Sequence, residues 1–487
     1  MSFQPVKAIQ YLALAAAFLL VSCQSNPVIP TATTQATPAG QTPVPEATRA
    51  QPAATPGAST TPAASLPDAA SLKGMTIQFW HPFTGDLAKQ VDAAVADFNQ
   101  QNTWGIKVQA QPQYSSGALY DAVKAGMQGG TAPSLPQVVA ATSDQLAEWS
   151  AQSDMLVDLN PYVNQPGTGM STAEIKSFQP VFWTQDQAGS RRMGIPALRT
   201  AQVIYYNQTW AKALGFQTPP KTPDEFKQQA CAAAKATTAL GDRNLTGTGG
   251  WLVDNDALTT LSWLTAFGAK AIPDAEGKPY TFESKEAETA VSYLRGMLDQ
   301  GCAWTGRNPL PYTYFTQRMA LFYTGSMSDL YTQSRYQEQA KNKDQWTVLP
   351  FPGSDGKPLV YASGYSYALL KTKDPQSVLA GWLFIHWLEQ PKVAVKLAQA
   401  LPSLPVSSAV TDQLGSQKSQ FPWTAVLPLA DIARPAPALS TWRTVRRLFE
   451  DAAWQIYQLP AEGLDKVLPQ TLPQLDAAVQ DALKTSP

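Results

Sequence analysis

Residues 75–141 open with Met75-Thr-Ile-Gln-Phe-Trp80 and close with Gln137-Val-Val-Ala-Ala141, and the pattern between them decides the fold. The first run alternates apolar and polar side chains, the period of a strand. Thr84-Gly-Asp86 then reads as a turn into a helix over 87–99, with Leu87, Val91, Ala94, Val95 and Phe98 on one face. Residues 106–113 alternate again, 119–127 return to helical spacing, and 137–141 form a short apolar strand. The order β-α-β-α-β predicts a mainly parallel sheet with helices on both faces. In such sheets ligands bind beyond the carboxyl ends of the strands. The loops at 80–85, 114–117 and 142–145 are therefore candidates for a cleft.

Composition narrows what such a sheet could serve. The chain has 487 residues, 36 Lys+Arg against 37 Asp+Glu, and a formal charge of −1. At roughly 100–200 residues per domain this length makes two to four domains or lobes. A nucleic-acid binder needs a basic face to neutralise phosphates, and the neutral balance argues against one. Two His and three Cys leave little for a zinc site or a metal cluster. Aromatic residues are plentiful, at 14 Trp, 17 Tyr and 17 Phe.

The first 72 residues read as export machinery. Lys7, an apolar run over 8–21 and the small residue Ser22 make a signal peptide over 1–22. That run is shorter than the roughly 20 residues needed to span a bilayer. Leu20-Val21-Ser22-Cys23 resembles a bacterial lipobox, so Cys23 is the expected lipidation site. Acyl chains there would hold the protein at a membrane without a spanning helix. Residues 24–72 contain nine Pro, nine Thr and twelve Ala and no aromatic residue. With so little apolar surface to bury, 23–72 is expected to be a disordered tether.

Residues 191–229 carry the pattern that names a family. They include Gly194-Ile-Pro-Ala-Leu198, Val203-Ile-Tyr-Tyr-Asn207 and Pro219-Pro-Lys-Thr-Pro-Asp-Glu-Phe226, with Thr222 as a helix N-cap and Pro223 at the first helical position. This stretch resembles the signature of bacterial extracellular solute-binding protein family 1, the sugar-binding lipoproteins of ABC transporters, near the glycerol-3-phosphate-binding branch. Phe79-Trp80-His81, Phe315-Thr-Gln-Arg-Met-Ala-Leu-Phe-Tyr-Thr-Gly-Ser326, Trp346-Thr-Val-Leu-Pro-Phe-Pro-Gly353, Ser363-Gly-Tyr365 and Leu401-Pro-Ser-Leu-Pro-Val-Ser-Ser408 continue it in family order. The last of these lacks the family's Gly and Tyr.

The resemblance implies an α/β, two-lobe periplasmic-binding-protein-like fold with hinge-crossing segments and an interlobe ligand cleft. Lobe one would comprise 73–198 plus 356–404, and lobe two 203–352 plus 406–484. The crossings would fall near 197–203, 351–361 and 403–407. It also implies a monomer that captures a sugar, uses no cofactor and hands its ligand to a membrane permease. Its location would be the outer face of the cytoplasmic membrane, facing a periplasm or the cell surface, with the lipid as its only membrane contact.

Sugar recognition needs flat apolar faces for ring C–H groups and polar groups for hydroxyls. The ligand-binding candidates are accordingly Trp80, Thr84, Tyr114, Asp144, Arg199, Trp251, Ser326, Gly364, Tyr365 and Arg443. Trp251 follows Gly247-Thr-Gly-Gly250, similar to a Gly-Trp segment that carries stacking aromatics in the glycerol-phosphate branch; the plain alternative for any Trp is core packing. Ser326 ends an apolar strand before a helix, where turn chemistry is the alternative. Arg443, eleven residues before Trp454, is similar in spacing to an Arg that meets phosphate in that branch. It could equally be a solvated group on an amphipathic helix. Ala140 stands where that branch has a cleft Glu, which ranks a mono- or oligosaccharide above a glycerol phosphate or phosphodiester. Cys231 and Cys302 both fall in lobe two of an exported protein, so a disulfide is expected, with two buried thiols as the alternative.

A surface carbohydrate-active enzyme and a purely adhesive lipoprotein are the rival classes. No Gly-x-Ser-x-Gly elbow, P-loop or His-Glu-x-x-His motif occurs. His81 and His386 read as a turn residue and a helix residue, so the chain is expected to be no enzyme.

Overall fold

Alternation in the opening stretch does build a parallel sheet. The computed structural model describes residues 69–129, 135–243, 245–306, 310–460 and 464–485. The leader, Cys23 and the tether up to residue 68 lie outside the described residues. The strands are β1 (Thr76–His81), β2 (Lys107–Pro112), β3 (Val138–Thr142), β4 (Gln187–Ala188), β5 (Arg191–Arg192), β6 (Ile195–Asn207), β7 (Gly249–Val253), β8 (Ala303–Thr305), β9 (Ala320–Ser326), β10 (Trp346–Leu349), β11 (Val360–Leu369) and β12 (Ala433–Pro435). β1 pairs in parallel with β2 and β3, and β4 pairs with β5 as a separate hairpin. The helices Gly85–Gln101 and Ser116–Gln128 supply the crossovers, and the former buries Leu87, Val91, Ala94, Val95 and Phe98 as its spacing requires.

One strand serves both lobes. The strand order is β2-β1-β3-β11-β6-β9-β7-β8, with β10 on β6 and β12 on β11. β6 pairs with β11 over Ile195 to Ala201. It then pairs with β9 from Gln202 to Tyr206 and with β10 from Ile204 to Asn207. Lobe one thus gathers around β2-β1-β3-β11, lobe two around β9-β7-β8, and Thr200 to Gln202 is the handover. The return passage runs from β10 to β11 and is pinned by a bridge between Phe351 and Leu359.

The third crossing lies later than 403–407. Leu404 donates to the Arg199 carbonyl at 2.6 Å, and Gln179 donates to the Val406 carbonyl at 2.8 Å. These bonds hold the segment to lobe one, and the helix Ser408–Gln413 packs on Pro391–Ala400 and Thr172–Ser177. The chain meets lobe two again at Phe421, whose ring lies 4.9 Å from that of Trp346, and at the helix Trp423–Val426 packed on β10. It continues into lobe two after β12 pairs with Val360 to Ala362 of β11. The helices Trp442–Gln458 and Leu464–Thr485 then pack together and against lobe-two helices. The tether also ends earlier than residue 72: Ala69–Leu72 is a 3-10 turn packed on the helix Pro375–Leu388, with Leu72 fully buried.

Both lobes have aromatic cores. Phe79, Phe98, Tyr367 and Phe384 meet edge-on in lobe one. In lobe two Phe226 meets Trp251 and Trp263 edge-on and Phe322 at a tilt, and Trp251 and Trp263 tilt against each other. Cys231, on the helix Pro223–Ala239, is disulfide-bonded to Cys302 just before β8, 71 positions away. Among the described residues no helix is long and apolar enough to cross a membrane.

Candidate functional site

Between the lobes lies a cleft of about 430 Å³. Lobe one presents the loops at the carboxyl ends of β2 and β3. Ser143–Gln152 is a helix whose capping box joins Thr142 and Gln145. Gln145 also donates to the Ser116 carbonyl at 2.8 Å, fastening the two loops together. Asp144, in the first turn of that helix, is thereby held at the cleft wall. From β11 come Gly364 and Tyr365. Gly364 has φ +148°, and a Cβ there would stand 2.1 Å from the Leu198 carbonyl oxygen, so glycine lets β11 lie this close to β6.

Lobe two supplies one face of the helix Trp442–Gln458. Trp442, Val445, Phe449, Ala453 and Ile456 are buried on its lobe-two side, which turns Arg443, Arg446, Arg447 and Glu450 to the cleft. Arg446 pairs with Glu450 at 2.7 Å and with Asp256 at 3.6 Å. Asp256 caps the helix Ala257–Ala266 by accepting from Leu258 at 2.8 Å. Beneath it, Asp254 accepts from the Thr324 hydroxyl and from the Asp256 backbone. Burial, reinforced by the Asp256 charge, pushes the Asp254 carboxyl up to about 7.

Arg443 reaches furthest. Its guanidinium lies 3.8 Å from the centre of the Tyr120 ring on the opposite lobe. Tyr120 in turn donates to Glu148, and burial, then that carboxylate, pushes the phenol up to about 12. The cleft lining thus sets Asp144, Asp256 and Glu450 against Arg443, Arg446 and Arg447, a formal sum of zero. Gln202, at the β6 handover, has a buried side-chain oxygen with no partner among the described residues.

Of the sequence candidates, Asp144, Gly364, Tyr365 and Arg443 come together here. Trp80 and Trp251 do not; they are 2% and 0% exposed and belong to the cores of lobe one and lobe two. Arg199 is fully buried behind the wall. It pairs with Asp186 at 3.2 Å and donates to the Tyr365 carbonyl at 2.6 Å, to Ser366 at 2.9 Å and to Gln185 at 3.2 Å. It therefore positions Tyr365 and Gln185 without facing the cavity. Ser326 stands one hydrogen bond back, 3.0 Å from the lining residue Thr200. Thr84 and Tyr114 are exposed outside the lining, Tyr114 at 73% with φ +62°.

Gln185, Gln202, Asp256, Trp442 and Glu450 were not anticipated. Trp442 and Glu450 left a trace as helical neighbours of Arg443, and Gln202 as part of the crossing expected near 197–203. Among the described residues no group of His, Cys, Asp and Glu could hold a metal ion.

Residues 93–423, well over half of the chain, match the model of a family described as bacterial extracellular solute-binding protein. The sn-glycerol-3-phosphate-binding periplasmic protein UgpB of Escherichia coli K12 is 22% identical over 346 residues, covering 69% of this chain and 75% of that protein. Among solved structures, the sugar-binding protein MalE of Xanthomonas citri superposes with a TM-score of 0.67 at 19% identity, over 85% of this chain and 100% of that one. UgpB of Mycobacterium tuberculosis, in complex with glycerophosphocholine, gives 0.67 at 15% identity, over 84% and 98%. By its family match, with a two-lobe α/β fold and a cleft lined from both lobes, this chain belongs to the bacterial extracellular solute-binding proteins.

Proposed function

We propose that this protein is the substrate-binding component of an ABC importer, capturing a sugar between its lobes and delivering it to a membrane permease. The carrying observation is the lining of the cleft: the Ser116 and Thr200 hydroxyls and the unpaired Gln202 amide oxygen beside the Tyr365 ring, with charges that sum to zero. Such a wall offers donors and acceptors to a neutral, hydroxyl-rich ring and a flat face to its C–H side. Binding without chemistry is the role these groups fit. Attachment of lipid at Cys23 belongs to the same proposal and rests on Leu20-Val21-Ser22-Cys23. Labelled fatty acid that still enters a Cys23→Ser variant would count against it.

A second reading has its own support. Arg443 and Arg447 share the cleft, Arg447 has no ion-pair partner among the described residues, and the relatives include glycerol-phosphate binders. A thermal-melting panel of mono-, di- and oligosaccharides beside glycerol phosphates on the secreted, oxidised protein separates the two. A ligand at 100 times its Kd should add roughly 2.7 kcal/mol, a shift of a few degrees. A shift confined to glycerol phosphates replaces the sugar reading, and silence across the panel overturns both.

A further inference from the structure

A second compartment, of about 890 Å³, adjoins the polar cleft, and Ser143, Gln185, Ala436 and Pro437 line both. Its walls come from the helix Ser143–Gln152 of lobe one, the turn at 272–276 of lobe two and the passage after β12. Leu146, Met193, Ile272, Pro273, Pro437 and Leu439 make its surface mostly aliphatic.

Ser143, Thr184, Gln185, Glu276 and Tyr361 of this wall are already engaged, while Gln187 and Arg434 are exposed to solvent. Ser143 donates to Asp186 at 2.6 Å, and Thr184 to the Pro180 carbonyl at 2.9 Å. Gln185 donates to the Ala436 carbonyl at 3.0 Å and accepts from Arg199. Glu276 accepts from the Ser440 backbone at 2.6 Å. The Tyr361 hydroxyl is paired with Thr265 at 3.1 Å. A sugar ring here would leave water and find few partners for its hydroxyls, an unfavourable exchange. An aliphatic chain would gain by burial. The adjoining cleft is the reverse case, since Gln202 there keeps a buried oxygen unpaired.

We propose that the transported solute is amphipathic, with a hydroxyl-bearing head in the polar cleft and an alkyl or acyl chain lying along the second compartment. This rests on the interlobe cleft being the solute site, and the test separates the two ideas. On the secreted, oxidised protein, calorimetric titration compares maltose with octyl maltoside and sn-glycerol 3-phosphate with its 1-octanoyl ester, all below micelle-forming concentrations. Affinity should rise about three- to fourfold for each methylene that enters the compartment. Ala151→Trp, at an exposed helix position in its wall, should remove that gain and leave the chain-free head binding as before. Equal affinity with and without the chain overturns the proposal and leaves the cleft reading standing. So does a chain gain that survives Ala151→Trp, because the chain then sits elsewhere. No binding by any member of either pair overturns both.

Discussion

Arg199 shows how a buried charge shapes a site without touching its ligand. It and Asp186 are both 0% exposed at the side chain, and Ser143 and Ser366 donate to the same carboxylate. Removing one member strands the other charge in the interior, which costs about 3–5 kcal/mol. Arg199→Met should therefore lower unfolding free energy in urea by about that much. A joint Arg199→Met, Asp186→Leu change should recover part of the loss; equal stability of the single variant and the parent would refute the account.

Asp254 makes a second prediction at this scale. Its carboxyl moves from 3.8 to about 7 on folding, by burial first and the Asp256 charge second. Between those values the native state holds a proton that the unfolded chain has released, so its contribution to stability falls as pH rises through the window. Asp254→Asn cannot titrate. The variant should lose less stability than the parent between pH 4 and pH 7, measured by denaturant melts at both ends. Glu389, pushed up to about 8 by burial, acts in the same direction, whereas His81, lowered to about 4 by burial, acts oppositely. Both are common to parent and variant, so the difference isolates Asp254.

Individual elements were more legible than their contacts. Helical spacing located 87–99, and the helix forms over Gly85–Gln101. Thr222 accepts from the Glu225 backbone at 3.2 Å, as its N-cap position implied. What period cannot tell is which face of a strand meets ligand when helices cover both faces of the sheet; Trp80 was misread for that reason. At Trp251 the glycines misled. A Cβ on Gly250 would lie 1.9 Å from the Cys302 carbonyl oxygen, so that glycine serves close strand packing and not an open aromatic face. The third crossing was misplaced because Leu404-Pro405 suits a crossing locally, while its hydrogen bond to Arg199 is a contact between residues far apart in sequence. Gln185 reaches the cleft through such contacts too, and no local pattern marks it.

The disulfide belongs to the same scale, joining the helix Pro223–Ala239 to the start of β8. Closing a loop across 71 positions should contribute about 4 kcal/mol in the chain-entropy model. Oxidised and reduced protein compared in urea should differ by about that amount, and a Cys231→Ser, Cys302→Ser variant should match the reduced form. Overlapping melts of all three would remove the bond from the stability account.

At the scale of the molecule, the residues that line the cleft belong to parts joined by β6, the passage from β10 to β11, and the chain after β12. Binding can favour a closed arrangement only if the solute holds that arrangement more tightly than an open one. The Arg443 guanidinium on the Tyr120 ring adds a direct bond across the cleft, of a kind worth about 0.5–2 kcal/mol. Losing it should shift the balance toward the open form about two- to thirtyfold and weaken apparent affinity as the binding-competent fraction falls. Arg443 also lines the cleft, so its own variant would confuse latch with ligand contact; Tyr120 does not, which makes it the better probe. Tyr120→Phe keeps the ring and should behave as the parent, whereas Tyr120→Leu should need more solute to reach the compact state in small-angle scattering. If Leu and Phe variants close at the same solute concentration, the contact across the cleft carries no part of closure and the solute alone drives it.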